Sequence, residues 1–318
     1  MRDLFKNIVK KAFVLSLCGL GFSAYSQTSN PLTQYARLPI LYNPAASGVE
    51  NFTDVKIGTR YQWAGMDDSP KGYFLGVNHS FQNDETTGQT KVGLSGFVVQ
   101  ERVAGYRDLQ AAVSSAVHIP VSGDTYLSLG FKAGINRISA DLGELRVRGE
   151  NDRVYQDLLA SDGAVSYLDV NPGVMLHSSN FYIGYSPLQL IRARISDNFG
   201  EEDESVVRHV ATAGYTFQVT DDWEVAPGAL VQLQDKLDPT YLLTGKVRYR
   251  SMFWGGVGYS PNRSVSGMLG ISPTSRLNIS YSYDHSVGEA NVFKFGSSHE
   301  LIIGIPLFKQ SDKAPMMW

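Results

Sequence analysis

Most of the chain reads as short runs in which apolar and polar side chains alternate. In TYLSLGFKAGINR, Thr125 to Arg137, one parity carries Leu127, Leu129, Phe131, Ala133 and Ile135, and the other Ser128, Gly130, Lys132, Gly134 and Asn136. A strand sends successive side chains to opposite faces, so this segment has one wholly apolar face and one face of glycines, polar groups and a lysine. About fourteen such strands are predicted, at 54–62, 72–81, 91–100, 108–120, 125–138, 165–177, 181–191, 205–219, 223–233, 240–249, 253–260, 264–271, 277–283 and 298–307. No helix-period segment of convincing length follows Gln27, and no run there holds 18 apolar residues, so no transmembrane helix is expected.

The connections add a second pattern. Those at 121–124, 177–180, 220–222 and 272–275 are tight, whereas 139–164, 192–204 and 284–297 are long and polar. Numbered in order, the tight turns are even and the long loops odd, which is the arrangement of an outer-membrane barrel with short periplasmic turns and longer external loops. QNDETTGQ at 82–89 is long for its side, and SPNR at 260–263 is short for its side.

Alternation alone does not say which face meets solvent, because a water-soluble barrel also alternates, with its apolar face inward. Strand number decides. About fourteen antiparallel strands closed into one barrel enclose a space too wide for their own side chains to fill, so polar residues can line a wet lumen and the apolar face turns to lipid. Tyr241 and Tyr249 share a face eight residues apart, about 26 Å along a strand and near 20 Å vertically once tilted. That is close to the spacing of aromatic girdles around an apolar band about 25 Å tall. The expected fold is all-β: a transmembrane up-and-down antiparallel β-barrel of about 14 strands over 54–308, followed by a tail at 309–318.

The N-terminus completes this reading. Lys6, Lys10 and Lys11 precede an apolar run from Ala12 to Phe22, and Ala24-Tyr25-Ser26 supplies a small-x-small site, so 1–26 is expected to be a secretory signal peptide cut before Gln27. The apolar run is too short for a membrane anchor, and Leu17 before Cys18 is not the small residue that a lipoprotein site needs. The single cysteine lies in this leader, so stability outside the cytoplasm has to come from something other than disulfides. The segment 27–53 holds prolines at 31, 39 and 44 around Leu38, Ile40, Leu41 and Tyr42. It suits neither a long helix nor a central strand, and it is too apolar for a free tail. It is expected to act as a plug in the lumen or a clasp on the periplasmic rim. The Asn43-Pro44 pair favours a turn.

Composition narrows the function classes. Charged residues make up 19% of the chain, below the globular average of about 25%, and the net charge of −3 gives no basic footprint for nucleic acid. The 31 glycines and 17 tyrosines suit strands and turns. The six histidines, His79, His118, His177, His209, His285 and His299, show no metal-ligand spacing. Neither a phosphate loop opening a helix nor a GxSxG elbow occurs. No metal, cofactor or catalytic residue is therefore expected. A barrel-embedded hydrolase built on a Ser–His pair, with His118 or His209, stays open because spacing does not reveal such geometry. Glu201-Glu202-Asp203-Glu204 would lie in an outer loop, as a Ca²⁺ or basic-partner site or simply as a solvated tip. Lys56, Arg60, Lys132, Arg208, Lys246 and Arg248 fall on the lumen parity, where they could favour anions or pair with carboxylates of a plug or of neighbouring strands.

Two stretches carry a family resemblance. QYARLPILYNPAASG, followed by RYQWAGMDDSPKGYFLGVNHSF, resembles the opening of the PorP/SprF family of the type IX secretion system. Gln34, Tyr35, Pro39, Asn43, Pro44, Ala45 and Gly48 match the first part, and Arg60, Gln62, Trp63, Gly65, Pro70 and Lys71 the second. ISYSYDHS at 279–286 and GSSHELIIGI at 296–305, with Ser298, His299 and Glu300, are similar to its last two strands. The continuation KQSDKAPMMW beyond Phe308 departs from a barrel that ends on an aromatic residue.

The resemblance implies a non-enzymatic outer-membrane protein of Bacteroidota-type bacteria. It would anchor or dock type IX secretion or gliding-motility machinery and surface adhesin cargo. The implied partners are other secretion or gliding proteins, secreted adhesins and outer-membrane lipid. The other reading is an outer-membrane channel or transporter with a basic lumen. From the residues themselves, Trp63 would sit at the outer interface of the first hairpin and Pro70 would set its turn.

Overall fold

A computed structural model of the chain describes residues 31–50, 52–81, 89–141, 163–195, 206–235, 237–287 and 296–307, all within the compact unit Pro31–Trp318. The expected leader, the acidic stretch 201–204, most of the loops 82–89 and 139–164, and the tail 309–318 lie outside the described residues.

Strands β1 (Thr53–Tyr61), β2 (Lys71–Ser80), β3 (Lys91–Val103), β4 (Tyr106–Ser122), β5 (Thr125–Ala140), β6 (Ala164–His177), β7 (Phe181–Leu188) and β8 (Ile191–Arg194) make the first half. The second half is β9 (Arg208–Tyr215), β10 (Phe217–Gln218), β11 (Trp223–Gln234), β12 (Thr240–Tyr249), β13 (Phe253–Ser260), β14 (Ser264–Thr274), β15 (Leu277–Ser286) and β16 (Ser298–Leu307). Sequential neighbours pair antiparallel and β1 closes on β16, with Thr53 opposite Leu307 and Tyr61 opposite His299. The result is a closed barrel of 14 strands with two short extra strands. Closure leaves the wall no free sheet edge, which lipid requires because it offers no hydrogen bonds.

The predicted runs coincide with these strands, with two corrections. The run 181–191 divides into β7 and β8, because Gln189 takes a φ of 59° and β8 then pairs with β6 further up. The run 205–219 divides at Thr216, where the ladder to β11 breaks beside Pro227, a residue with no N–H to give. β10 continues only as a two-residue pair on β11. β3 and β4 run past their predicted ends to a two-residue turn at Ala104 and Gly105, both at positive φ, so the third connection joins 260–263 as a tight turn on the long-loop side.

The orientation is that of a membrane barrel. In β5, Leu129, Phe131 and Ile135 are each about half exposed on the outside, whereas Ser128, Lys132 and Asn136 are buried inside. The same inversion holds round the wall: Ile57, Leu75, Val113, Ile183, Leu243 and Leu269 point out. Asn78, Ser95, Ser114, Asn171, Thr244 and Ser282 point in. Tyr241 lies on the exposed face, as the girdle spacing predicts.

The interior holds residues 31–50 of the chain. They form three short helical turns, Tyr35–Arg37, Pro39–Tyr42 and Pro44–Ala46, and most of them are buried. Each proline that follows a turn boundary lacks an N–H to satisfy and has a preset φ, so it opens the next turn without cost. The last turn rests on a row of small residues crossing five strands in register: Ser80, Gly93, Ala116, Gly130 and Gly173. A Cβ at Gly93 would stand 1.9 Å from the Ser47 carbonyl oxygen, one at Gly130 2.3 Å from Ala45 N, and one at Gly173 2.1 Å from Asn43 Oδ1. Only glycine permits so close an approach of backbone to wall.

This geometry predicts that Gly130→Ala lowers the thermal stability of the detergent-solubilised barrel by about 1–3 kcal/mol, the usual cost of overpacking. Outward Gly245→Ala, with open space around its Cβ, stays within about 0.5 kcal/mol. Thermal unfolding followed by circular dichroism separates the two.

Candidate functional site

The interior segment and the wall that holds it make the site, and four sets of contacts fasten it in chain order. At its start, Arg60 on β1 lies directly opposite Glu300 on β16 across the seam where the barrel closes. Arg60 Nη1 meets Glu300 Oε1 at 2.5 Å and Arg60 Nη2 lies 3.6 Å from Asp284 Oδ2 on β15. The three side chains are then spent on the segment. Arg60 donates to the Pro31 carbonyl at 3.0 Å. Thr33 N and Gln34 N donate to the two Glu300 oxygens at 2.8 and 3.2 Å, and Thr33 Oγ1 donates to Asp284 at 2.7 Å. Glu300 is 1% exposed, so its charge depends on this guanidinium and these N–H groups.

The middle of the segment is held by apolar packing. Leu38 packs with Phe74 and Ile302, and Ile40 with Phe97 and Ala112. Tyr35 and Ala36 pack with Leu188, Val210, Leu230 and Leu242, and the ring of Tyr42 meets Tyr35 edge-on at 6.4 Å. These wall residues are apolar exceptions on the polar parity, and each packs in a cluster with an apolar residue of the segment.

Beyond the middle, Asn43 uses both ends of its amide. Its Oδ1 accepts from Ala45 N at 2.9 Å, closing the turn, and its Nδ2 donates to the Val174 carbonyl on β6 at 3.0 Å. His118 Nε2 donates to the Ser47 carbonyl at 2.8 Å, which leaves Nδ1 to accept from Ser128 Oγ at 2.6 Å. His177 Nε2 lies 3.2 Å from the same Nδ1. The hydroxyls of Ser47, Ser95 and Ser114 form a triangle with sides of 2.8, 3.1 and 2.7 Å, and Gly48 N donates to Asn78 Oδ1 at 2.7 Å. At the exit, Lys56 bridges Asp54 and Glu50, the latter at 3.5 Å. Burial pushes the Glu50 carboxyl up to about 7 against the pull of Lys56.

The residues singled out in the sequence fall into two places. Gln34, Tyr35, Pro39, Asn43 and Pro44 lie inside the barrel, with Arg60 and Glu300 in the seam that grips their start. Trp63, Pro70, Lys71 and His299 lie at the long-loop rim. There Trp63 N donates to Ser298 Oγ at 3.2 Å, Ala64 N to the Ser297 carbonyl at 2.7 Å, and Gln62 N to the Pro70 carbonyl at 2.9 Å. Lys71 stands over the Tyr61 ring at 5.3 Å. His299 faces outward and meets the Tyr281 hydroxyl at 2.7 Å. These contacts tie the first hairpin to the last strand.

The six basic residues on the lumen parity all point inward, and each has electrostatic company. Lys56 and Arg60 pair as described, and Arg248 Nε donates to Glu224 at 2.5 Å. Lys132 stands 5.3 Å over Phe97 and Lys246 5.3 Å over Trp254. Arg208 shares the field of Glu101, Asp108 and Asp169. Of the two roles open for these cations, pairing with carboxylates describes Lys56, Arg60 and Arg248.

The Ser–His arrangement left open for a hydrolase takes a definite form. Ser128 and His118 are hydrogen-bonded, but both are fully buried beneath Ser47, whose carbonyl occupies Nε2. His209 faces outward on the Tyr185 hydroxyl. Sequence reasoning missed Glu300's partners, the His118–Ser47 bond and the small-residue row. Glycines on the polar parity at Gly93, Gly130 and Gly173 were the available signal.

Removing one partner of the seam pair leaves a buried charge alone. Arg60→Met is predicted to cost about 3–5 kcal/mol, and Arg60→Met with Glu300→Leu to recover part of that loss. A double-mutant cycle on unfolding in detergent measures the coupling.

A family model described as "Type IX secretion system membrane protein PorP/SprF" matches residues 24–305. Among solved structures, the toluene transporter TbuX of Ralstonia pickettii is 10% identical, with a TM-score of 0.50 over 85% of this chain and 93% of that one. The outer membrane protein Omp33 of Acinetobacter baumannii is 11% identical, with a TM-score of 0.47 over 82% of this chain and 100% of that one. At such identities the likeness is one of fold. No curated protein sequence matches.

Proposed function

From the membership of this chain in the PorP/SprF family of type IX secretion system membrane proteins, we propose that it is a plugged, non-enzymatic outer-membrane anchor. It docks components of the secretion or gliding-motility machinery, and the surface adhesins they deliver, on a rigid barrel. The cell is a Bacteroidota-type bacterium and the leader 1–26 is removed on export. The partners are other secretion or gliding proteins, at the periplasmic rim or in the outer membrane, together with the secreted adhesin.

The observation that carries this reading is the fastening of residues 31–50 inside the barrel. A transport barrel needs an interior that opens. Here the interior segment meets a glycine row by its backbone, a buried ion-pair seam by its first residues and apolar clusters by its middle. Truncating one such apolar anchor costs about 2–5 kcal/mol, so opening would break several anchors at once. A docking protein needs the opposite, a stiff body that holds its loops and rim in fixed positions for partners.

The test is deletion of the gene in the native bacterium with surface adhesins assayed by antibody on intact cells. Loss of adhesin display and spreading, restored by the wild-type gene, is the expected result. Normal display with lost growth on one solute overturns the docking reading in favour of the channel. Mild solubilisation and pull-down from the complemented strain is expected to recover secretion or gliding proteins.

A further inference from the structure

We propose that the long-loop rim over β2–β5 binds lipopolysaccharide, holding a lipid A phosphate among the side chains of Lys71, Arg102, Arg107 and Arg137. All four are exposed, and they share the parity of Tyr73, Val98, Leu109 and Ile135, which turn to lipid. The ladder sets them side by side. Lys71 lies directly opposite Arg102, and Arg102 directly opposite Arg107, steps of about 5 Å between adjacent strands. Arg137 faces Leu109 on β4, which puts it diagonally below Arg107, about 7–8 Å away.

Like charges directly opposite one another weaken a sheet. Two such contacts in one row call for an anion, and the wall holds none there. Arg102 Nη2 donates to the Gln100 amide oxygen at 3.3 Å, and Lys71 stands 5.3 Å over the Tyr61 ring, so the company of both is neutral. Glu101 and Asp108 neighbour Arg102 and Arg107 in sequence but have the opposite parity, and their charges act on Arg208 inside the barrel. Among the described residues, no carboxylate forms an ion pair with any of the four.

The height of the row identifies the anion. The outward positions of β4 from Ile119 to Leu109 include Val117, Val113 and Ala111 and cover about 33 Å along the strand. Tilted by about 40°, that is near 25 Å, the height of the apolar band. Arg107 is the next outward position beyond Leu109, and Arg137 the next beyond Ile135. The cations thus stand at headgroup level in the leaflet on the long-loop side, which is the external one. In an outer membrane that leaflet is lipopolysaccharide, and its lipid A presents phosphate at this level. Guanidinium groups grip phosphate with paired N–H donors, and Val98, Leu109 and Ile135 below them give the acyl chains an apolar wall. On the far wall, Tyr259, Val265 and His285 form an outward row at the same rim, with no lysine or arginine among them.

The test uses the full-length protein purified from outer membranes, delipidated in mild detergent and titrated with diphosphoryl lipid A, with bound lipid counted by native mass spectrometry. One lipid A per wild-type barrel is expected. The double substitution Arg102→Gln with Arg107→Gln is expected to weaken binding at least about tenfold, and Lys71→Gln severalfold. Arg276→Gln, at an exposed position on the short-turn rim, leaves it unchanged. Dephosphorylated lipid A and phosphatidylglycerol are each expected to bind the wild type at least about tenfold more weakly than diphosphoryl lipid A. Thermal unfolding gives a second readout. Lipid A raises the unfolding temperature of the wild type, whereas the doubly substituted barrel, freed of its own repulsion, starts no lower and rises less. Equal binding by the doubly substituted barrel, or of dephosphorylated lipid A or phosphatidylglycerol, overturns the site, as does a wild-type unfolding temperature that lipid A leaves unmoved.

Discussion

The whole arrangement depends on one close contact, the backbone of Asn43 to Gly48 lying directly on glycine backbone at Gly93, Gly130 and Gly173. A barrel of this width in lipid has its greasy side chains on the outside and cannot fill its own interior. Water can satisfy the polar groups that face inward, but once a segment displaces that water the segment must pair them itself, since buried polar atoms without partners are costly. The chain does this by folding its own residues 31–50 into the cylinder. At the glycine row the distance between segment and wall shrinks until carbonyls and amides of the segment meet His118, Asn78 and the serine triangle at hydrogen-bond length.

The other end of the segment is tied to barrel closure. Arg60 and Glu300 come from the first and last strands and face each other only once β1 has paired with β16. Their charges are neutralised by each other, by Asp284 and by the N–H and carbonyl groups of residues 31–34. Closing the barrel and seating the segment are in this sense one event, because each completes the hydrogen bonding of the other. The rim hairpin at Trp63 and Pro70 adds backbone bonds across the same seam. Residues from both ends of the chain thus meet at one place.

Much of this was legible in the sequence. Alternation located the strands because the two solvents of the wall differ sharply in polarity, and the parity of loop lengths gave the direction of the hairpins. The prolines of 31–44 marked a segment that was neither strand nor tail. What stayed hidden was non-local. Gln189 interrupts one strand through a single backbone angle and Pro227 another through a missing N–H on the facing strand, and neither leaves an apolar signature. Phe74, Phe97, Leu230 and Ile302 break the polar parity and read as noise until their partners Leu38, Ile40 and Tyr35 are known. The pairing of Arg60 with Glu300 spans 240 positions, and no periodicity reports it.

The central claim is that residues 43–48 sit on the inner wall, and a disulfide trap measures this directly. Ser47 and Ser95 hydroxyls are 2.8 Å apart and both residues are buried, and the chain's one natural cysteine is Cys18, far from both in sequence. The variant carrying Ser47→Cys and Ser95→Cys is predicted to cross-link almost completely in the oxidising periplasm, giving a faster-migrating band on non-reducing gels and no maleimide labelling in intact cells. Two free, readily labelled thiols would contradict a seated segment and return the lumen to open water.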